Sequence, residues 1–306
     1  MSAMKSLLLL FCIAFSFTGF SQQTYVPDDA FEQFLVDSGY DYVMDNYVNT
    51  AYISEIISLD IPSEGIADLT GIEDFAALNE LYCFDNQLTS LDVSNNTALT
   101  HLLCENNQLI SLDVSNNTAL IQLFCNNNDL TSLDLSNNTA LTIFQCYDNQ
   151  LTSLDLSNNI ALEWFTCHEN QLTSLDVSNN SSLLGFSCND NQLACLNVKN
   201  GNNTNFIGLY ATNNPNLTCI EVDDAVYATE NWQNDSLVYW QFDPQIYFNT
   251  YCFNSCSVGI EEQSNISSRQ LLQIVDLMGR ETPYKPNVPL IYIYDDGSTK
   301  RVFKIE

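Results

Sequence analysis

One sentence of sequence is written six times between Leu78 and Asn205, and that repetition restricts the fold more than any other feature of the chain. Leu99 to Ala119 reads LTHLLCENNQLISLDVSNNTA, and Leu120 to Ala140 reads LIQLFCNNNDLTSLDLSNNTA. Copies begin at Leu78, Leu99, Leu120, Leu141, Leu162 and Leu183; the first five are 21 residues long and the sixth is 23. A degenerate seventh copy starts at Phe206, and a weaker lead-in copy covers roughly Ile56 to Ala77. Each copy has an inner symmetry. Leu99-x-x-Leu102-x-Cys104-x-x-Asn107 is echoed by Leu109-x-x-Leu112-x-Val114-x-x-Asn117.

A fixed period of 20–29 residues with this Leu and Asn spacing reads as a leucine-rich-repeat solenoid. The inner symmetry predicts 21-residue coils of parallel β structure, with two short strands on two faces instead of a strand and a helix. Apolar residues at the first, fourth and sixth place of each half point inward. One coil cannot bury its apolar face alone, so neighbouring coils must supply the core. The asparagine columns (Asn86 to Asn191 and Asn96 to Asn180) are read as scaffold, because an inward amide satisfies backbone groups where the chain turns. Cys83, Cys104, Cys125, Cys146, Cys167 and Cys188 fall at an inward position and are expected to pack as small apolar thiols. One thiol per coil makes a line, which does not fit a tetrahedral metal site.

The ends differ from the repeats. MSAMKSLLLLFCIAFSFTGFSQQ combines a basic start at Lys5, an apolar run and a small-residue cleavage site, so residues 1–21 read as a secretory signal peptide. That apolar run is short for a bilayer span, and no other segment is a transmembrane candidate. Residues 22–260 contain 31 Asp or Glu, one Lys (Lys199) and no Arg. Arg269, Arg280, Lys285, Lys300, Arg301 and Lys304 all lie in the last 38 residues. The asymmetry marks a separate C-terminal module. With no basic surface to neutralise phosphates, nucleic acid is excluded as a partner.

Further boundaries follow from composition. Thr24 to Asp45 predicts a helix with Asp28 or Asp29 as its N-cap and Gly39 as its stop; residues 22–55 form an N-terminal cap, which an open-ended solenoid requires. The solenoid itself spans 56–224. Residues 225–256 lose the period but stay aromatic and are expected to close the far end, 257–268 form a polar linker, and 269–306 alternate strand-like runs with turns at Gly279-Arg280 and Asp296-Gly297. Cys195 and Cys219 occupy the outward column held elsewhere by Ser90, Ser111, Ser132, Ser153 and Ser174. In-register neighbours stand about 4.8 Å apart, inside the Cα range of a disulfide, so they are expected to pair, leaving Cys252 and Cys256 as a second pair. Connectivity is not fixed by sequence.

The VDLMGRE and PLIYIYDDGSTKRVFKIE strings resemble the C-terminal sorting domain read by the type IX secretion system of Bacteroidetes. The repeat block, with its VPDDAFEQFL beginning and NGNNTNFIGLYATNNPNLTCIEVDD exit, is similar to secreted flavobacterial leucine-rich-repeat proteins. The resemblance implies export across both membranes, engagement of the type IX machinery by residues 269–306, and a secreted or outer-surface location.

No catalytic motif is present. Cys167-His168-Glu169 places its thiol at a core position and its imidazole outside, so an enzyme is not expected. Asp92, Asp113, Asp134, Asp155 and Asp176 stack at one place of successive coils, and like charges so close need solvation, hydrogen bonds or a bridging ion. Hydroxyl bonding within SLDVSNNT and calcium between the carboxylates are the two readings; no other cofactor is expected. Outward residues of the second face hardly change between coils. Those of the first face vary and include aromatics: Tyr82, Phe84, His101, Phe124, Tyr147, Trp164 and His168. Aromatics exposed on a rigid sheet point to recognition. The expected function is binding of an extracellular protein or polysaccharide through that face; the alternative is a structural or adhesive scaffold whose repeats provide length.

Overall fold

The computed structural model describes residues 22–233, 239–252, 256, 271–275, 280, 290–294 and 299–302. The signal-peptide segment, the linker and the Gly279 and Asp296-Gly297 turns lie outside the described residues. Two units emerge, Met1–Val258 and Gly259–Glu306.

The first unit begins with a lid. Strand β1 (Gln23–Tyr25) pairs antiparallel with β2 (Tyr47–Asn49), enclosing helix α1 (Asp29–Asp37). The helix lies within the Thr24–Asp45 segment, between the expected N-cap and the expected stop. Pro27 precedes it, and Gly39 at φ +78° turns the chain away after it. Asp28 is its N-cap: Oδ1 accepts the N–H groups of Ala30 and Phe31, both at 3.0 Å. The other oxygen accepts from Ala67 and Asp68 N–H, tying the lid to the lead-in coil. Buried Glu32 holds the return loop by accepting from Asp45 and Asn46 N–H. Phe31 stacks on Phe75 with ring centroids 6.1 Å apart, so the lid covers the open end of the core. A short helix α2 (Thr50–Ile53) leads into the coils.

The first face is a continuous parallel sheet of nine strands. In chain order it takes β3 (Ser58–Asp60), β4 (Glu80–Tyr82), β5 (His101–Leu103), β6 (Gln122–Phe124), β7 (Ile143–Gln145) and β8 (Trp164–Thr166). On the second face follows β9 (Ser174–Asp176), and the chain then alternates: β10 (Gly185–Ser187) first face, β11 (Cys195–Asn197) second, β12 (Gly208–Tyr210) first, β13 (Cys219–Glu221) second. The register is unbroken, with Glu80, His101, Gln122, Ile143, Trp164, Gly185 and Gly208 side by side. The parallel-strand solenoid read from the period is therefore the fold.

The second face departs from expectation. It carries strands only in the C-terminal coils, in the order β9-β11-β13 and then β15, with a lone Asp92–Asp113 bridge earlier. Side-chain amides join neighbouring coils there, in the strand-bearing coils as well as the earlier ones. Asn117 Nδ2, for example, donates to the carbonyls of Val93 and Asn96, both at 3.0 Å. Asparagine thus serves as scaffold on both faces. Asn149 is typical of the first-face column: its Nδ2 donates to the carbonyls of Cys125 and Cys146, and its Oδ1 accepts Leu130 N–H. All six column cysteines are buried and unbonded, as their inward position implies.

After β13 a short helix α3 (Ala225–Ala228), N-capped by Asp224, opens the far cap. Strand β14 (Trp240–Gln241) adds to the first-face sheet beside β12, and β15 (Tyr247–Asn249) to the second beside β13. Trp232 is buried between Phe206 and Trp240, with centroids 5.8 and 4.9 Å away. The disulfides correct the expected pairing. Cys195 bonds Cys256 and Cys219 bonds Cys252, with Cα separations of 5.4 and 5.9 Å. Cys195 and Cys219 are on adjacent parallel strands, where Cβ atoms point the same way about one strand spacing apart; a disulfide needs roughly 3.8 Å between Cβ atoms. Each instead reaches a cysteine of the cap.

The second unit contains a three-stranded antiparallel sheet, β16 (Leu271–Val275), β17 (Leu290–Tyr294) and β18 (Thr299–Val302), in that order. Within it, Ile293 pairs with Thr299.

Candidate binding face

Strands β3 to β8 of the first face show the same alternation: the central residue is buried and the flanking two point outward. That period of two, multiplied by the 21-residue repeat, gives outward columns in the order read from the sequence. Tyr82, Phe84, His101, Phe124, Tyr147 and His168 are half-buried, whereas Trp164 is 38% exposed. His101 Nδ1 lies 2.9 Å from Thr100 Oγ1.

The structure divides these residues into two groups and leaves the others along the face. Tyr147 and His168, on successive coils, stack with centroids 4.3 Å apart and planes 9° from parallel. Burial pushes the His168 pKa below its ordinary value, against the upward pull of Glu169, Asp190 and Asp148. Its neighbour Glu169 sits at φ +52°, in a column that is otherwise Asp or Asn in every coil from Asp85 to Asn213. Those two residue types tolerate the left-handed region best.

Trp164 belongs to a different feature, an apolar cleft at the C-terminal end of the face with a cavity volume of about 780 Å³. Ile143, Trp164, Ile207, Tyr210 and Tyr239 surround it, and Gln145, Thr166 and Ser187 supply polar groups along one side. Phe144, Phe165 and Phe186, the buried central residues of their strands, also border it, and behind the sheet the Phe165 and Phe186 rings stack at 5.1 Å. Two glycines make the space. Gly185 and Gly208 are in-register neighbours in the outward column that elsewhere carries Glu, His, Gln, Ile and Trp. A Cβ on Gly185 would stand 2.7 Å from the Gly208 carbonyl and 3.2 Å from Trp164 Cζ3. The indole therefore lies over a strand that has no side chain to lift it. A Cβ on Gly208 would meet the Tyr239 carbonyl at 3.1 Å. Ile207 and Tyr239 are 56% and 52% exposed, so the lip of the cleft is apolar and open.

Sequence reasoning found Trp164 but missed Ile143, Ile207, Tyr210 and Tyr239. The available signal was the glycine pair in successive copies, which leaves an open slot beside an aromatic neighbour. Tyr239 carried no such signal, because it enters from the aperiodic cap.

On the second face the aspartate column forms local turns. Asp92, Asp113, Asp134, Asp155 and Asp176 each accept the N–H two residues on, from Ser94 to Ser178, at 2.9 Å. Hydroxyl and N–H donation by those serines holds Asp92, Asp113 and Asp134 below the usual carboxylate range. Among the described residues, no three His, Cys, Asp or Glu converge to hold a metal ion. Burial raises all six column thiols well above their ordinary pKa, so the Cys167 thiolate is not accessible as a nucleophile. No helix among the described residues is long and apolar enough to cross a membrane.

No protein-family model matches the chain. Over 71 residues, 23% of this chain, it is 35% identical to Internalin J of Listeria monocytogenes; the match spans only 8% of that protein's length. Among solved structures, an internalin (InlF) of Listeria monocytogenes superposes with a TM-score of 0.50 at 20% identity, covering 65% of this chain and 69% of that one. Internalin C2 of the same organism gives a TM-score of 0.48 at 23% identity, covering 63% and 98%. The InlF likeness supports the leucine-rich-repeat fold.

Proposed function

We propose that this chain is an exported leucine-rich-repeat binding protein whose first face recognises an extracellular protein or polysaccharide. The observation that carries the reading is the cleft over Gly185 and Gly208. Scaffold positions repeat in every coil, whereas this space exists only where two side chains are deleted beside an exposed indole. Concave apolar sites with a few polar groups are the common form of binding sites. The internalin-like fold and the two disulfides are in keeping with an extracellular role. A scaffold that only provides length would show no preference among partners. Sub-micromolar affinity for one partner, measured on the immobilised full chain, separates recognition from length.

Export is the second part of the proposal. Residues 1–21 act as a signal peptide, and 269–306 as a type IX sorting module whose three-stranded sheet is the signal read by the machinery. Deleting residues 270–306 is expected to strand the protein in the periplasm, with fractionation and immunoblotting as the readout. Normal secretion of the deletion variant would overturn the sorting role and leave the binding role untouched.

A further inference from the structure

We propose that the cleft takes an arginine side chain carried on a basic protein segment. The inference rests on the binding reading above and names the chemistry of the partner. Three observations lead to it.

The first is the wall chemistry. The strands carrying Trp164 and Trp240 are separated by the two glycine strands, which places the cleft's ends roughly 14 Å apart at ordinary strand spacing. Trp164 stands at one end and Tyr239 at the other, with Tyr210 beside them. A guanidinium is planar and weakly hydrated and stacks on aromatic faces, while its three-carbon stem suits the isoleucines of the lip.

The second is charge. Residues 22–258 hold 31 carboxylates against the single cation Lys199, whose Nζ donates to the Thr250 carbonyl at 3.2 Å. Such a field concentrates cationic partners and repels anionic ones. Glu163, next to Trp164, and Asp148, Glu169 and Asp190 around His168 bring this charge to the same face. A basic segment flanking the arginine is therefore favoured over a neutral glycan, and an acidic polysaccharide is disfavoured.

The third is hydrogen bonding. Gln145 and Ser187 border the cleft, and the Ser187 hydroxyl spends its proton on Asn189 Oδ1, which leaves its oxygen as an acceptor. An arginine brings five N–H donors and no acceptor, which matches a wall whose polar side chains are Gln145 and Ser187.

The test uses the full chain and a short peptide of alternating arginine and glycine, with its citrulline counterpart as the neutral isostere. Titration calorimetry is expected to show the arginine peptide binding at least tenfold more tightly than the citrulline peptide. Trp164→Ala and Ile207→Lys should each weaken it tenfold or more, with unchanged circular dichroism. Equal binding of the two peptides, or arginine binding indifferent to both substitutions, would overturn the proposal; the second result would mean diffuse attraction to the acidic surface. A neutral hexasaccharide such as maltohexaose that binds in place of the peptide, and is lost in Trp164→Ala, would overturn the arginine while leaving the recognition face standing. No binding of either probe class combined with a partner captured elsewhere on the chain would sink both.

Discussion

Asn149→Ala is expected to lower the stability of the repeat unit by about 2–3 kcal/mol, a large effect for one polar residue in a sequence so rich in asparagine. The side chain is buried and joins two coils. Its amide donates to the carbonyls of Cys125, Cys146 and Tyr147 at 3.0, 3.1 and 3.3 Å, and its oxygen accepts Leu130 N–H at 2.9 Å. Alanine leaves Leu130 N–H buried without a partner, at a cost of roughly 1–3 kcal/mol, and takes one of two donors from the carbonyls of Cys125, Cys146 and Tyr147, which keep Asn128 Nδ2, Asn170 Nδ2 and Asn127 N–H. Coils contact only their neighbours, so a defect in the middle of the array also weakens coupling along it. The midpoint of urea unfolding checks this. A change under about 1 kcal/mol would mean that water replaces the amide and the column is not scaffold.

Removing Cys219–Cys252 together with Cys195–Cys256 is expected to cost more, and to cost it at one end. Closing sequence separations of 33 and 61 residues restrains the unfolded chain by roughly 4 kcal/mol per bridge in the chain-entropy limit. Both bridges attach the cap to the second face, and the cap supplies Trp232, Trp240 and the Tyr239 wall of the cleft. A Cys219→Ser/Cys252→Ser/Cys195→Ser/Cys256→Ser variant should therefore show a red-shifted tryptophan emission and an early unfolding phase confined to the cap. It should also lose ligand. Peptide mapping of the native protein should recover the 195–256 and 219–252 pairs, with the six column thiols alkylated only after denaturation. A mapped 195–219 bridge would contradict the cap geometry.

The reading of the sequence succeeded where one rule repeats and failed where position depends on something outside the repeat. Inward leucines and cysteines, the asparagine columns and the Asp28 cap were legible because each is a local or periodic requirement that the chain restates. The second-face strands were not. The same SLDVSNN text gives a strand at Ser174 and none at Ser111, although Asn180 and Asn117 make the same amide links, so the ladder there is set by context: the strands occupy the coils nearest the disulfide-bonded cap. The disulfide partners were missed because reach along one column was visible and the return of the cap was not. Trp164 was found as an exposed aromatic, but the cleft that gives it a role needs Gly185, Gly208 and Tyr239 in one place. Tyr239 is 31 residues beyond Gly208 in sequence and arrives beside it only through β14.

The central claim is that the first face, at this cleft, is the recognition site. It is tested most directly by measuring partner affinity and melting temperature for Trp164→Ala beside Ser153→Ala, which alters an outward serine on the opposite face. The indole is 38% exposed and offers a large, rigid contact area at little cost in side-chain freedom. Trp164→Ala is expected to cost on the order of 2 kcal/mol or more in binding with a melting temperature close to that of the parent, and Ser153→Ala to leave both unchanged. Equal losses of affinity from the two faces, or unfolding on Trp164→Ala, would place recognition elsewhere.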